Sequence, residues 1–271
     1  MNETSGTRAV VDSSVPSPAR IWDYYIGGKD NFAVDRAVAE QVIAVLPTAP
    51  AVARLTRRFL AQVVHYLATE HGIRQYLDIG SGLPTADNTH QVAQRAAPTS
   101  RIVYVDNDPV VIAHAHALMV STAEGRCDYV QADVRDVSTI LAGASRTLDF
   151  TQPVAVLMLQ LLHFVPDDDD PFGIVRDIMA ALPSGSFLVL AHGSDDVDRQ
   201  ASAQLTRMSK ASVVTLRLRN HEEVSRFFDG LELIGPGLVS GTEWLVATSA
   251  SNGEPRPGDV HFGYSGVARK P

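Results

Sequence analysis

From Gln75 onward, five short β-rich runs alternate with stretches of helical pattern: YLDIG (76–80), RIVYVD (101–106), CDYVQAD (127–133), PVAVLML (153–159) and SFLVLAH (186–192). That alternation leaves few folds open. Parallel strands need a crossover long enough to hold a helix, and strands covered on both faces read as nearly continuous apolar runs. Helices are predicted to start near Ala86, Asp108, Asp136, Asp170 and Val197, between and after the strands. Five strand–helix units of this kind make a doubly wound α/β core. After a further helix near His221 to Phe228, LELIGPGLV, TEWLVATS and DVHFGYSGVARK read as short strands separated by Gly and Pro. An antiparallel C-terminal hairpin drawn from them would complete the sheet.

Upstream of the first strand the pattern is helical. Val34 to Leu46 ends at Pro47, and from Pro50 to about His71 the apolar positions Val52, Leu55, Phe59, Val63 and Leu67 recur at steps of three and four. Residues 1–18 carry Ser, Pro and charge without periodicity, the composition of a flexible arm. The expected organisation is an arm over 1–18, a helical lid or extension over 19–73, and a ligand-binding α/β domain over 74–271.

Composition narrows the functional classes. A formal charge of −8 over 271 residues argues against broad phosphate-backbone binding, so no nucleic-acid partner is expected. No apolar run reaches the roughly 18 residues of a membrane helix, and MNETSGTRAVVDSS lacks the pattern of a secretory signal. The expectation is a cytoplasmic protein with no membrane partner, one that could assemble as a homo-oligomer. Cys127 is the single cysteine, which permits neither an internal disulfide nor zinc spacing.

Ligands of doubly wound sheets bind at the carboxyl ends of the strands. The first such loop is Asp78-Ile79-Gly80-Ser81-Gly82-Leu83-Pro84, in which two glycines let backbone approach a ligand beside a carboxylate. Asp106 ends the second strand, where a carboxylate accepts from two ribose hydroxyls, and Asp133 ends the third, where it accepts from an adenine amino group. Together these residues describe a site for an adenosine whose tail lies over the glycine loop. A dinucleotide fingerprint would want a third small residue at Thr85 and about 20 residues to the acid rather than 28.

DIGSGLPT, VYVDNDP, QAD and MLQLLHF resemble the successive signature loops of class I S-adenosylmethionine-dependent methyltransferases. The closer resemblance is to an actinobacterial S-adenosyl methyltransferase family that also carries YxxGGKDNF, the phrase PGL and a GVARK-like terminus; it runs from about Pro18 to the C-terminus. The resemblance implies a Rossmann-like, doubly wound, mostly parallel seven-stranded sheet and methyl transfer from S-adenosyl-L-methionine, with S-adenosyl-L-homocysteine as product and a small-molecule acceptor. It also implies roles. Gly80, Ser81 and Gly82 bracket the methionine part, Asp78 binds its amino group, Asp106 with Asn107 holds the ribose, and Asp133 with Val134 holds adenine. Gln160 lines the floor near the methyl group. An NAD-dependent oxidoreductase and a non-catalytic cofactor-binding sensor are the alternative functions.

His163 follows the fourth strand, and as imidazole titrates near neutrality it is the candidate general base, weighed against a structural histidine. His192, after the fifth strand, is a weaker candidate for the substrate pocket. The acidic run Asp167-Asp168-Asp169-Asp170-Pro171 reads as a helix cap, because acids before a first-position proline satisfy free amides; no metal is assigned. YYIGGKDNF (24–32) is not a phosphate loop, having Asp23 and Asp30 where that motif needs Gly and Ser or Thr. The family resemblance makes it a lid: Tyr25 contacts the sulfonium, Gly28 permits a close turn, Lys29 attracts the cofactor's carboxylate, and Asn31 and Phe32 face the acceptor. In a purely structural role, Asp30 or Asn31 would cap the next helix, with Tyr25 and Phe32 in the core.

Overall fold

A computed structural model describes residues 12–85, 87–118, 120–248 and 263–271. The five parallel runs form β1 (Gln75–Ile79), β2 (Arg101–Asp106), β3 (Arg126–Gln131), β4 (Ala155–Leu159) and β5 (Phe187–Gly193). Helices α4 (Thr89–Ala96), α5 (Pro109–Leu118), α6 (Val137–Ala144) and α7 (Pro171–Ala180) connect them, and α8 (Arg199–Lys210) follows β5. With β6 (Glu232–Leu233) and β7 (Gly263–Arg269), the sheet has seven strands in the order β3-β2-β1-β4-β5-β7-β6. β7 runs antiparallel to both its neighbours, β5 and β6. The order reverses between β1 and β4, so the loops after those two strands flank the crevice where such sheets bind ligands.

Residue parity divides the core. Leu77, Ile79, Val103, Val105, Val156, Met158, Leu188 and Leu190 face α6 and α7, meeting Ile140, Ile174, Val175 and Ile178. Their strand neighbours Tyr76, Ile102, Tyr104, Leu157, Phe187 and Val189 face the other way, against Phe59, Leu60, Val63, Val64 and Leu67 of α3 (Ala49–Glu70) and Val92 of α4. Period-two alternation therefore feeds two cores from one sheet. Each large side chain so buried contributes roughly 1.5–3 kcal/mol relative to exposure.

The structure departs from the sequence reading at both ends. TEWLVATS lies in a helix, α10 (Gly241–Thr248), not a strand. Ser240 Oγ accepts from the Glu243 amide at 3.1 Å while the Glu243 carboxylate accepts from the Ser240 amide at 3.0 Å, a reciprocal cap that starts the helix. Trp244 then packs edge-on against Phe59 at 5.1 Å. β6 and β7 are thus paired across an intervening helix rather than joined by a tight turn. At the other end, residues read as part of the arm or lid form a helix, α1 (Pro18–Tyr25), with proline in its first turn. It precedes α2 (Ala33–Val45).

Residues 1–11 of the expected arm, the helix start expected at Ala86 and the DVHF portion of the last expected strand lie outside the described residues. No single helix among the described residues is long and apolar enough to cross a membrane.

Candidate active site

The loop after β1 is built for close approach. Gly80 and Gly82 have φ of +72° and +66°, in the left-handed region that glycine adopts without strain. The Gly80 amide donates to the Val105 carbonyl at 2.8 Å, and a Cβ on Gly80 would stand 2.8 Å from Leu161. Gly82 donates its amide to Asp106 Oδ2 at 2.9 Å, while Asp106 Oδ1 accepts from the Asp108 amide at 3.0 Å. Burial pushes the Asp106 carboxyl up to about 6, against the amides of Asp108 and Gly82, which hold it down. It remains ionised at neutral pH, with lone pairs to spare for a ligand's hydroxyls.

One cavity runs over this loop. Asp78, Gly80, Ser81, Gly82, Asp106, Asn107, Asp133, Val134 and Gln160, from four strand ends, all line it. Asp78 is buried, which raises its carboxyl, and it accepts from Thr89 Oγ1 at 2.6 Å. Asp133 is half-exposed. Burial opposes its ionisation, but hydrogen bonds from Arg135 hold the carboxyl below the usual range. Arg135 also donates to Asp169 Oδ2 at 2.6 Å, and Asn107 Nδ2 to Asp133 at 3.2 Å. A strap of ion pairs therefore crosses the end of the cavity beside β3.

The segment expected to form a lid meets the cavity through residues other than those the sequence suggested. Ala19, Trp22, Asp23 and Ile26 line it, whereas Tyr25, Gly28, Lys29, Asn31 and Phe32 do not. Helical geometry explains the exchange, because positions 19, 22, 23 and 26 share one face of α1 and Tyr25 points to another. Lys29 is exposed. Gly28 is needed for a different approach: a Cβ there would lie 1.9 Å from the Asp23 carboxylate. Asp23 accepts from the Asp30 amide at 2.9 Å and from Asn31 Nδ2 at 2.8 Å, so GGKDNF wraps around an acid of α1.

Phe32 is the N-cap of α2, its amide donating to Asp35 Oδ2 at 2.8 Å. Its ring sits 5.0 Å from the guanidinium carbon of Arg20. Arg20, itself buried, donates to Asp35 at 3.0 Å and to Asp108 at 3.2 Å, tying the lid to the loop after β2.

A cation does enter the cavity, from α3. Arg57 lines it and donates to the Asp87 carbonyl at 3.1 Å. Its signal in the sequence is its place on the stripe Ala53, Thr56, Arg57, Leu60, a charge set at helical spacing in an inward face.

Gln160 directly follows β4 with φ of +55°, a conformation costing about 1–3 kcal/mol in a residue with a side chain. Its amide donates to the Ala191 carbonyl at 2.8 Å. Its Oε1 is buried and has no hydrogen-bond partner among the described residues. Gln160 also lines a second, largely apolar cavity beneath the lid, and Pro18, Trp22 and Phe164 face both cavities with it.

His163 lines the second cavity and is almost wholly buried. Burial, with the nearby His192 and the charge of Arg219, pulls its pKa well below the usual imidazole value. Nδ1 accepts from the Gly193 amide at 3.4 Å, which places the single proton on Nε2. Taking a second proton would create a buried cation beside an arginine, so this geometry disfavours the general-base role expected of His163. His192 lines neither cavity. Its parity on β5 sends it to the Leu188 and Leu190 face, where its ring stacks on Phe227 at 5.7 Å.

His192 Nδ1 donates to the Gly193 carbonyl at 2.6 Å and Nε2 accepts from Arg219 at 3.0 Å, burial bringing its pKa down to about 3. Arg219 in turn donates to the Leu162 and Val165 carbonyls at 3.0 Å each, pinning the turn that carries His163 and Phe164. No local pattern in the sequence marks this fully buried arginine. The acidic run is mostly paired: Asp167 with Arg217 and Arg219, Asp169 with Arg135, and Asp170 as N-cap to the Gly173 amide at 2.9 Å.

Comparison with known proteins accords with this arrangement. A family model described as S-adenosyl methyltransferase matches residues 4–271. Among solved structures, a DUF574 family protein from Streptomyces avermitilis MA-4680 is 42% identical, with a TM-score of 0.90 over 97% of this chain and 100% of that one. A candidate methyltransferase from Thermobifida fusca YX is 36% identical, with a TM-score of 0.84 over 96% of each chain. The plantazolicin methyltransferase BpumL, at 10% identity and a TM-score of 0.53 over 93% of this chain and 95% of that one, shares the fold. A comparison with curated proteins returns no match. The chain belongs to the S-adenosyl methyltransferase family and is an S-adenosyl-L-methionine-dependent enzyme of methyl transfer.

Proposed function

We propose that the enzyme methylates a small molecule held beneath the lid, with the cofactor in the cleft over Gly80 and Gly82 and the two meeting at Gln160. The observation carrying this reading is the wall shared by the two cavities, which sets Trp22, Gln160 and Phe164 between a polar cleft and an apolar one. The cleft's donor set suits the cofactor. Ionised Asp106 accepts from ribose hydroxyls, Asp133 from the adenine amino group, and Asp78 from the ammonium, while Arg57 receives the carboxylate.

When bound, the cofactor supplies a methyl group on a sulfonium, open to in-line displacement. The protein's own contribution is alignment and exclusion of water: α1 closes the cleft with Trp22 and Ile26, and the left-handed turn at Gln160 fixes the floor. His163 stays neutral and serves as a wall and hydrogen-bond donor.

Calorimetric titration with S-adenosylhomocysteine tests the cleft: Asp106→Ala and Arg57→Met are each expected to weaken binding about tenfold or more. Undiminished affinity in both variants would overturn these roles. For the acceptor, methyl-labelled cofactor incubated with fractionated extract is expected to label the small-molecule fraction. Label found only in protein or nucleic acid would refute the small acceptor.

A further inference from the structure

The second cavity has a chemistry of its own. It has a volume of about 170 Å3 and is lined from α1, α2, α3, the turn after β4, α8 and the segment after α8. Trp22, Tyr25 and Phe164 give it aromatic walls, and Ile21, Leu205 and Met208 are among the apolar residues that close it. Its polar lining is neutral: Gln41, Gln160, His163, Ser209 and Ser212, with Tyr25 contributing a phenol. Among the described residues that line it there is no Asp, Glu, Lys or Arg. An ionised ligand would lose its hydration there without a counter-charge, which disfavours it. An apolar cavity of roughly 150 Å3 holds benzene, so this one has room for one or two rings.

The buried Oε1 of Gln160 supplies the remaining requirement. It can only accept a hydrogen bond, and leaving such an atom buried and unpaired is unfavourable. A ligand that brings an O–H to the shared wall removes that cost and presents its oxygen toward the cofactor cleft.

We infer that the acceptor is an uncharged, ring-bearing hydroxy compound of the phenol class, its ring among Trp22, Tyr25 and Phe164 and its O–H donated to Gln160 Oε1. This inference rests on the cofactor reading of the neighbouring cleft. In the reaction the acceptor's oxygen forms a bond to the methyl carbon as the carbon–sulfur bond breaks, with the bonding pair staying on sulfur. The hydroxyl proton passes to water, because the carboxamide of Gln160 cannot take it. The products are an aryl methyl ether and S-adenosylhomocysteine.

Direct binding tests this without turnover. The full chain is titrated calorimetrically with 2-naphthol, naphthalene and 2-naphthoate, and separately with S-adenosylhomocysteine. 2-Naphthol is expected to bind about tenfold or more tighter than 2-naphthoate. Gln160→Leu is expected to weaken 2-naphthol about tenfold while leaving naphthalene unchanged. Met208→Trp and Val214→Trp, both at half-buried positions of the cavity wall, are expected to abolish naphthol binding and to retain S-adenosylhomocysteine affinity.

Binding of S-adenosylhomocysteine with no binding of 2-naphthol, or preference for the naphthoate, would overturn the acceptor inference and leave the cofactor reading intact. Failure of S-adenosylhomocysteine to bind the wild type would overturn the cofactor reading itself, and the acceptor inference with it.

Discussion

Replacing Arg20 by methionine removes the guanidinium that holds the lid. Arg20 is 4% exposed, and Asp35 and Asp108, which it pairs at 3.0 and 3.2 Å, are 0% and 7% exposed. The substitution keeps an apolar side chain of similar length over Phe32 but leaves two buried carboxylates without their cation. Removing one partner of a buried pair costs about 3–5 kcal/mol. The lost cation–π contact with Phe32 adds roughly 0.5–2 kcal/mol.

Some of that is retained, because Asp35 still accepts from the Ser17 and Phe32 amides and Asp108 from the Val110 amide. The expected net loss is about 3–5 kcal/mol, or roughly 10 °C or more in Tm for a chain of this size. Urea unfolding measures it. A second change, Asp35→Asn, removes one stranded charge while keeping an acceptor oxygen, so the double variant is expected to recover about half the loss. Because Arg20 ties α1 to the loop bearing Asp106, S-adenosylhomocysteine affinity is expected to fall as well. A loss below about 1 kcal/mol with unchanged affinity, or no recovery in the double variant, would refute the clamp.

Gly80→Ala is expected to lose cofactor affinity out of proportion to its size: the left-handed φ costs about 1–2 kcal/mol for alanine and the new methyl meets Leu161 at 2.8 Å, so unchanged S-adenosylhomocysteine binding by calorimetry would count against the glycine cradle. With the Asp106 carboxyl at about 6, a ligand that needs the ionised form is expected to bind with constant affinity above pH 7 and about tenfold more weakly per unit below pH 6; a flat profile in wild type would exclude Asp106 from the ribose contact. For the histidines the sign runs the other way from a stabilising ion pair. Both have depressed folded values, so the unfolded chain binds more protons below about pH 6.5 and stability falls as pH falls. His192, at about 3, is expected to contribute about 2 kcal/mol of loss between pH 6.5 and 4.5; nitrogen NMR showing either ring protonated at pH 5.5 would contradict the buried, neutral assignment.

Local pattern was enough to read the parallel strands and the glycine and acid residues at their carboxyl ends. A parallel strand buried on both faces must be apolar nearly throughout, and a loop that admits a ligand needs glycine, so YLDIGSG, VYVDND and QAD announce themselves locally. Even TEWLVATS carried its cap, Ser240-Gly241-Thr242-Glu243, beneath a strand-like composition. Which side chains of the N-terminal segment face inward came instead from long-range packing. The spacing in YYIGGKDNF shows an aromatic pair, a glycine pair and a lysine, but the rotation of α1 about its axis is set by Arg20 reaching Asp35 and Asp108, 15 and 88 residues away.

That rotation gives the cleft to Trp22, Asp23 and Ile26 and leaves Lys29 in solvent. Likewise His163 and His192 read as titratable groups in the sequence, and burial beside Arg219 makes them neutral. Local pattern records propensity and backbone chemistry, whereas facing and ionisation depend on partners that folding brings from far along the chain.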